Sequence, residues 1–280
     1  MVMDWVDRVQ LALLRRRGAV SRFHPTPFGR VHVLDVPGRG EGTLLILHGF
    51  GDAAAHFWRL VYRLQPHFGR ILIPDQLGHG QSDSPDDLTP ESMFGALIEV
   101  LDVEMGNQRA LVFGNSLGGA LAMAYAQFRP DNVHKLVLVS PAGAPWVSDD
   151  ERETVIQTFH MDTHRKATDF VQRLHARPTW YARLIARDVA RNFARPALRS
   201  LAAGFRNSPS QSAESLALIQ APSLLLWGKA ERILPLSAVA FFREHLRGKV
   251  EEPDDWGHCP QLDRVPSLAA RILRWARDED

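Results

Sequence analysis

Where the apolar run Leu111-Val112-Phe113 meets Gly114-Asn115-Ser116-Leu117-Gly118-Gly119, the chain has few conformations open to it. The run has the character of a buried strand. It stops at Gly-x-Ser-x-Gly, and a helix-compatible segment, Ala120 to Phe128, follows at once. A strand that turns directly into a helix around a serine is the pattern of a nucleophile elbow. Gly114 and Gly118 leave room for the backbone to fold tightly, so that Ser116 is held in a strained conformation with Oγ exposed. The N–H of Leu117 would then lie at a helix N-terminus, where donors are unpaired and negative charge is favoured.

A serine hydroxyl is a poor nucleophile near neutrality and needs a base and an orienting acid. Near the C-terminus, Asp254-Asp255-Trp256-Gly257-His258-Cys259-Pro260 places His258 in a Gly-flanked loop after the strand-like Lys249 to Glu251. The apolar run Ser223 to Trp227 ends in Gly228-Lys229-Ala230-Glu231, which puts a carboxylate in the loop leaving a strand. The order Ser116, Glu231, His258 is that of an α/β-hydrolase triad and differs from the orders in chymotrypsin and subtilisin.

On these motifs the chain resembles the α/β-hydrolase superfamily over nearly its whole length. Two further segments match. Thr43 to Leu47 runs into His48-Gly49-Phe50-Gly51, which is similar to the family's HGxG oxyanion loop. Ile71 to Pro74 runs into Asp75-Gln76-Leu77-Gly78-His79-Gly80-Gln81-Ser82, which resembles its D-x-x-G-x-G-x-S segment. The resemblance implies that the backbone N–H groups of Phe50 and Leu117 form the oxyanion hole. It also implies structural roles for Ser82, His48 and His79. Most family members carry Asp where this chain has Glu231. The alternative acid position after the sixth strand reads Ser140-Pro141-Ala142-Gly143 and offers no carboxylate.

Strand-like runs at Arg30–Val36, Thr43–Leu47, Arg70–Pro74, Arg109–Phe113 and Lys135–Ser140 alternate with helical patterns at Ala53–Leu64, Pro90–Glu104 and Ser116–Phe128. Such alternation predicts a mostly parallel sheet, eight-stranded by the resemblance, with helices on both faces. From about Ala144 to Gln220 the strands vanish and helical segments rich in Arg and aromatics take over. Strands resume at Ser223, and helices at Leu236–Leu246 and Arg264–Ala276 close the chain. The reading is a hydrolase core over residues 1–143 and 221–280 interrupted by a helical cap over 144–220.

With 280 residues, 45% of them hydrophobic, the chain can build one sizeable core and an inserted subdomain. Its net charge of +1 gives no electrostatic case for nucleic acid. One cysteine, Cys259, excludes an internal disulfide and fits a reducing compartment. No run approaches the roughly 18 apolar residues that span a bilayer. Val2, Val6, Val9 and Leu13 recur at helical spacing, and Arg15-Arg16-Arg17 follows them, the reverse of the charge order in a signal peptide. This predicts an amphipathic helix packed on its own domain, with a membrane-surface helix as the alternative. A cytoplasmic location with some membrane association fits these features.

Other signals are weaker. His160 and His164 could share a helix face as metal ligands, but no further ligand stands at suitable spacing. His56 and His175 read as partly buried or solvated side chains, and the cap arginines as a solvated face.

The expected chemistry is acyl transfer by Ser116, His258 and Glu231, without metal or organic cofactor. Two subgroups of the superfamily look similar. Asn115 and Gly118-Gly119 resemble hydrolases that cleave carbon–carbon bonds in aromatic meta-cleavage products. The N-terminal helix, helical cap and elbow resemble monoacylglycerol-lipase-like esterases. A small or medium hydrophobic ester is the expected substrate. The alternatives are carbon–carbon bond hydrolysis and a non-catalytic ligand-binding member of the fold.

Overall fold

The structure, a computed structural model, describes residues 2–279. In chain order it contains α1 (Val2–Arg15), β1 (Val20–Thr26), β2 (Gly29–Pro37), β3 (Thr43–Leu47), a 3-10 turn (Ala54–Phe57) leading into α2 (Trp58–Leu64), and β4 (Arg70–Pro74). There follow α3 (Pro90–Met105), β5 (Ala110–Asn115), α4 (Leu117–Phe128) and β6 (Val133–Val139). Five helices come next: α5 (Asp149–Thr158), α6 (His164–Leu174), α7 (Ala182–Phe193), α8 (Pro196–Gly204) and α9 (Ala213–Ala217). The chain ends with β7 (Ser223–Leu226), α10 (Leu236–His245), β8 (Gly248–Glu251), α11 (Pro260–Asp263) and α12 (Val265–Ala276).

The strands form one eight-stranded sheet in the order β1-β2-β4-β3-β5-β6-β7-β8. β1 and β2 pair antiparallel, as do β2 and β4, and every later pairing is parallel. This is the α/β-hydrolase fold.

Side-chain alternation along the central strands assigns the two faces. Val112, Leu136, Leu138 and Leu225 point to the layer of α3, α4 and α10, where they meet Leu97, Leu101, Tyr125 and Phe242. Leu111, Phe113, Val137, Val139, Leu224 and Leu226 point the other way, onto Leu60, Leu64, Leu268 and Ile272 of α2 and α12. Because both faces are covered, the central strands read as continuous apolar runs. β1 is the strand that the sequence reading lacks. Its side chains are mostly exposed and it carries Pro25, as edge strands tolerate. A half-wet strand has no apolar run to announce it.

The helix over residues 2–15 packs on its own domain. Leu14 is fully buried beside α2, and the Met3 backbone N–H donates to Asp188 Oδ2 of α7 at 3.0 Å. His56 ties the same helix to the loop after β3. Its Nε2 lies 2.9 Å from Asp7 Oδ1, and its Nδ1 makes a short hydrogen bond with Asp52. His56 is partly buried, one of the two states the sequence allows it, and the structure adds that it bridges two carboxylates. Burial works against its charge, but the Asp52 and Asp7 carboxylates outweigh that and raise the imidazole from 6.5 to about 10.

A raised folded-state value means that the stabilisation is complete below the ordinary imidazole value and is lost as pH climbs through the folded one. The melting temperature should therefore decline between about pH 7 and 10. His56→Gln should flatten that slope in thermal scans, and an unaltered slope would assign the titration to other groups.

Candidate active site

Ser116 sits between β5 and α4 with φ 55° and ψ −118°, in the left-handed half of backbone space. A non-glycine residue pays about 1–3 kcal/mol there and persists only where its surroundings fix it. They do so here through four backbone bonds. Ser116 N donates to Val139 O of β6, and Ser116 O accepts from the N–H groups of Gly119, Ala120 and Ala142. The turn closes because the flanking glycines lack side chains. A Cβ on Gly114 would fall 2.3 Å from Gly118 O, and one on Gly118 would fall 2.0 Å from Leu47 O.

His258 and Glu231 meet as the sequence order implies. His258 Nδ1 lies 2.7 Å from Glu231 Oε2, with both side chains buried. Glu231 Oε1 also accepts from the backbone N–H groups of Ile233 at 2.6 Å and Leu234 at 3.1 Å. Burial disfavours the carboxylate's charge, but the facing imidazole and these donors prevail and hold Glu231 below the usual glutamate range. Ionised Glu231 accepts from Nδ1–H, which leaves Nε2 as the free ring nitrogen.

Asn115 joins the serine turn to the histidine loop. Its Nδ2 donates to His258 O at 2.9 Å and Val139 O at 3.0 Å, while its Oδ1 accepts from Gln261 Nε2 at 2.9 Å. The sequence reading picked out Asn115 only as a point of resemblance, and it missed Gln261. Nothing local to either residue signals a contact between segments more than a hundred positions apart. Cys259 Sγ also approaches Asn115 Oδ1, and burial pushes its thiol well above the ordinary value, which keeps it protonated and weakly nucleophilic.

The loop after β3 lies against the turn, since a Cβ on Gly49 would be 3.5 Å from Ser116 Cβ. His48 holds that loop: its Nδ1 donates to Gly49 O at 2.8 Å and its Nε2 accepts from Gln76 N at 3.2 Å. Burial lowers the His48 pKa, which suits this neutral role, and it lowers that of His79 to about 3. Leu117 is the first residue of α4, so its N–H is among those at the helix start without an intrahelical acceptor.

Two cavities meet at Ser116, with Phe50 and Phe159 also common to both. The first arm, of about 490 Å³, runs between α3, α4 and α5 past Met93, Leu121, Trp146 and Phe205. The second, of about 540 Å³, includes His258 and is walled by α1, α6 and α7. Phe50 stands between them, its ring edge-on to those of Phe159, Phe193 and Phe205 at 5.4, 5.2 and 5.6 Å.

The remaining histidines of the cap are bound internally. His160 follows α5 and bonds Ile156 O, whereas His164 begins α6 and bonds Arg183 O, so they do not share a helix face. His175 is buried, bonded to Val171 O and to the Tyr181 hydroxyl at 2.5 Å.

Comparison with known proteins bears on the family and the fold. The profile of the alpha/beta hydrolase fold family matches residues 42–265. A 2-hydroxy-6-oxononadienedioate/2-hydroxy-6-oxononatrienedioate hydrolase of Paraburkholderia phymatum is 31% identical, over 84% of this chain and 89% of its own. Lipase 1 of Psychrobacter immobilis is 25% identical, over 81% of this chain and 74% of its own. Among solved structures, a membrane phospholipase A superposes with a TM-score of 0.85 at 20% identity, covering 99% of this chain and 91% of its own. The 2-hydroxy-6-oxo-6-phenylhexa-2,4-dienoate hydrolase of Rhodococcus sp. strain RHA1 gives 0.78 at 22%, covering 92% and 99%. The chain is a member of the alpha/beta hydrolase fold family, and a hydrolase by that membership.

Proposed function

We propose that the protein is a serine hydrolase of hydrophobic carboxylic esters. The observation that carries this reading is the buried His258–Glu231 hydrogen bond, in a loop that Asn115 fastens to the Ser116 turn. Ser116 Oγ attacks the ester carbonyl carbon while His258 Nε2 takes its proton. Glu231 stabilises the imidazolium and fixes its tautomer. The N–H groups of Phe50 and Leu117 receive the developing oxyanion, worth about 3 kcal/mol per donor in comparable sites. His258 then returns the proton to the departing alcohol, and water releases the acid from the acyl-enzyme by the same steps. A protein that only bound a ligand would have no use for an acid oriented on a histidine.

The cavities direct the two halves of the substrate. His258 lines the second arm alone, so an alcohol protonated by Nε2 leaves through that arm and the acyl chain occupies the first. Both arms are walled chiefly by apolar side chains, which favours esters with apolar groups on both sides of the carbonyl.

A second reading is hydrolysis of a carbon–carbon bond in a meta-cleavage dienoate. The Paraburkholderia phymatum relative supports it, as does Asn115 ahead of the serine. A dienoate carboxylate needs a cationic seat, however, and of the two cations lining the second arm His56 is already held between Asp7 and Asp52, which leaves Arg59. The ester reading fits these walls better.

A fluorophosphonate probe should label the wild type and leave Ser116→Ala unlabelled; labelling of the variant would move the nucleophile elsewhere. Glu231→Gln should keep its melting temperature within a few degrees and lose about a thousand-fold or more in kcat, by analogy with loss of the triad acid elsewhere. Rates near normal would identify a different acid. In a series of p-nitrophenyl esters, each methylene added to the acyl chain should raise kcat/KM by up to about four-fold until the first arm is full, at roughly 0.8 kcal/mol per buried methylene. Turnover of a meta-cleavage dienoate in preference to every ester would reverse the order of the two readings.

A further inference from the structure

Helix α1 is apolar on two faces, although a helix packed on its own domain needs only one. Met3, Val6 and Gln10 turn inward and wall the second arm, and Leu14 enters the core. Val2, Trp5 and Val9, at i, i+3 and i+7, form an outer stripe that is 49%, 66% and 38% exposed. The stripe continues across the cavity entrance. Trp180, just ahead of α7, is 83% exposed, and Leu184 on α7 is 59% exposed. Val2, Trp180 and Leu184 all line the second arm, so this exposed apolar surface is the rim of the cavity that leads to Ser116.

Positive charge predominates on the outward side of that rim. Arg8 on α1 and Arg183 and Arg187 on α7 are exposed beside the apolar residues. The nearby carboxylates mostly turn inward, Asp7 onto His56 and Asp188 onto the N–H of Met3, which leaves Asp4 as the exposed acid of α1. The chain as a whole carries only +1, so the excess is local. A second copy docked two-fold through the same patch would gather the arginines of both copies into one seam, with the two Asp4 carboxylates as the exposed acids of α1 to offset them. A surface with fluid apolar depth under an anionic layer satisfies both features of the rim.

We infer that this rim docks on the anionic face of a lipid bilayer. Trp5, Val9 and Trp180 enter the headgroup region, and Arg8, Arg183 and Arg187 meet lipid phosphates. The second arm then opens onto the membrane. That last point rests on the ester-hydrolase reading and names the source of its substrate; the docking itself does not depend on it.

The test uses the full chain carrying Ser116→Ala, so that binding is read without hydrolysis and the two ideas can fail separately. In flotation assays it should bind vesicles of phosphatidylcholine with phosphatidylglycerol more tightly than vesicles of phosphatidylcholine alone, and raised salt should weaken the binding. Adding Trp5→Ser and Val9→Ser should lower partitioning at least ten-fold. Reversing Arg8 and Arg183 to Glu should lower it by roughly five-fold or more per residue. In the background with Ser116 intact, Trp5→Ser with Val9→Ser should leave turnover of dissolved p-nitrophenyl butyrate unchanged, as these side chains lie outside the cavity. Absence of binding, equal affinity for neutral and anionic vesicles, or binding indifferent to Trp5 and Val9 would each overturn the proposal. So would a dimer in vesicle-free ultracentrifugation that the Trp5 and Val9 substitutions dissociate, because that result gives the patch to a second copy.

Discussion

The left-handed backbone of Ser116 is the constraint on which the site depends. It ends β5 and starts α4 within one residue, which places the serine at the corner beside the unpaired first amides of α4. The conformation costs energy locally and is held by neighbours: β6 through Val139 and the segment after it through Ala142. It also requires that β3 come close enough for the Leu47 carbonyl to occupy the place of a Gly118 side chain. The order of the central strands is thus tied to the geometry of one serine.

Glu231 and His258 stand in the loops after β7 and β8, and the end of α6 braces both. Arg232, next to Glu231, donates to the carbonyls of Gln172 and His175 at the end of α6, and Arg173 of that helix donates to Arg232 O. Cys259 N, next to His258, donates to Leu174 O. The loops that carry Glu231 and His258 are therefore both tied to the C-terminal end of α6. The residues on either side of the His258–Glu231 pair thus share their anchors in one helix end.

Phe50 links this chemistry to shape. Its backbone belongs to the loop held by His48, and its ring is the hub around which Phe159, Phe193 and Phe205 close the cap onto the core. Edge-to-face packing at these separations adds to the burial of large rings. The same ring divides the cavity at Ser116 into two arms. On one side of it the walls come from α3, α4, α5 and the segment 202–215. On the other they include α1, which His56 fastens to the loop through Asp7 and Asp52.

Much of this was legible in the primary structure, because its signals are local. Buried parallel strands must be apolar on both faces, a strained strand-to-helix turn must carry glycine where backbones collide, and the order of Ser116, Glu231 and His258 is a property of the chain alone. The edge strand β1 was not legible, since a half-exposed strand needs no apolar run. Nor was the Asn115 bridge to His258 and Gln261, the capture of His56 by two carboxylates, or the split of the cavity by Phe50. Each of these depends on which distant segments the sheet brings side by side, and polar side chains choose partners only once that proximity exists. The sequence by itself determined the α/β-hydrolase fold and the order of the candidate residues Ser116, Glu231 and His258 along the chain. Tertiary structure alone decided how they are braced, what surrounds them, and which face of the first helix is left bare.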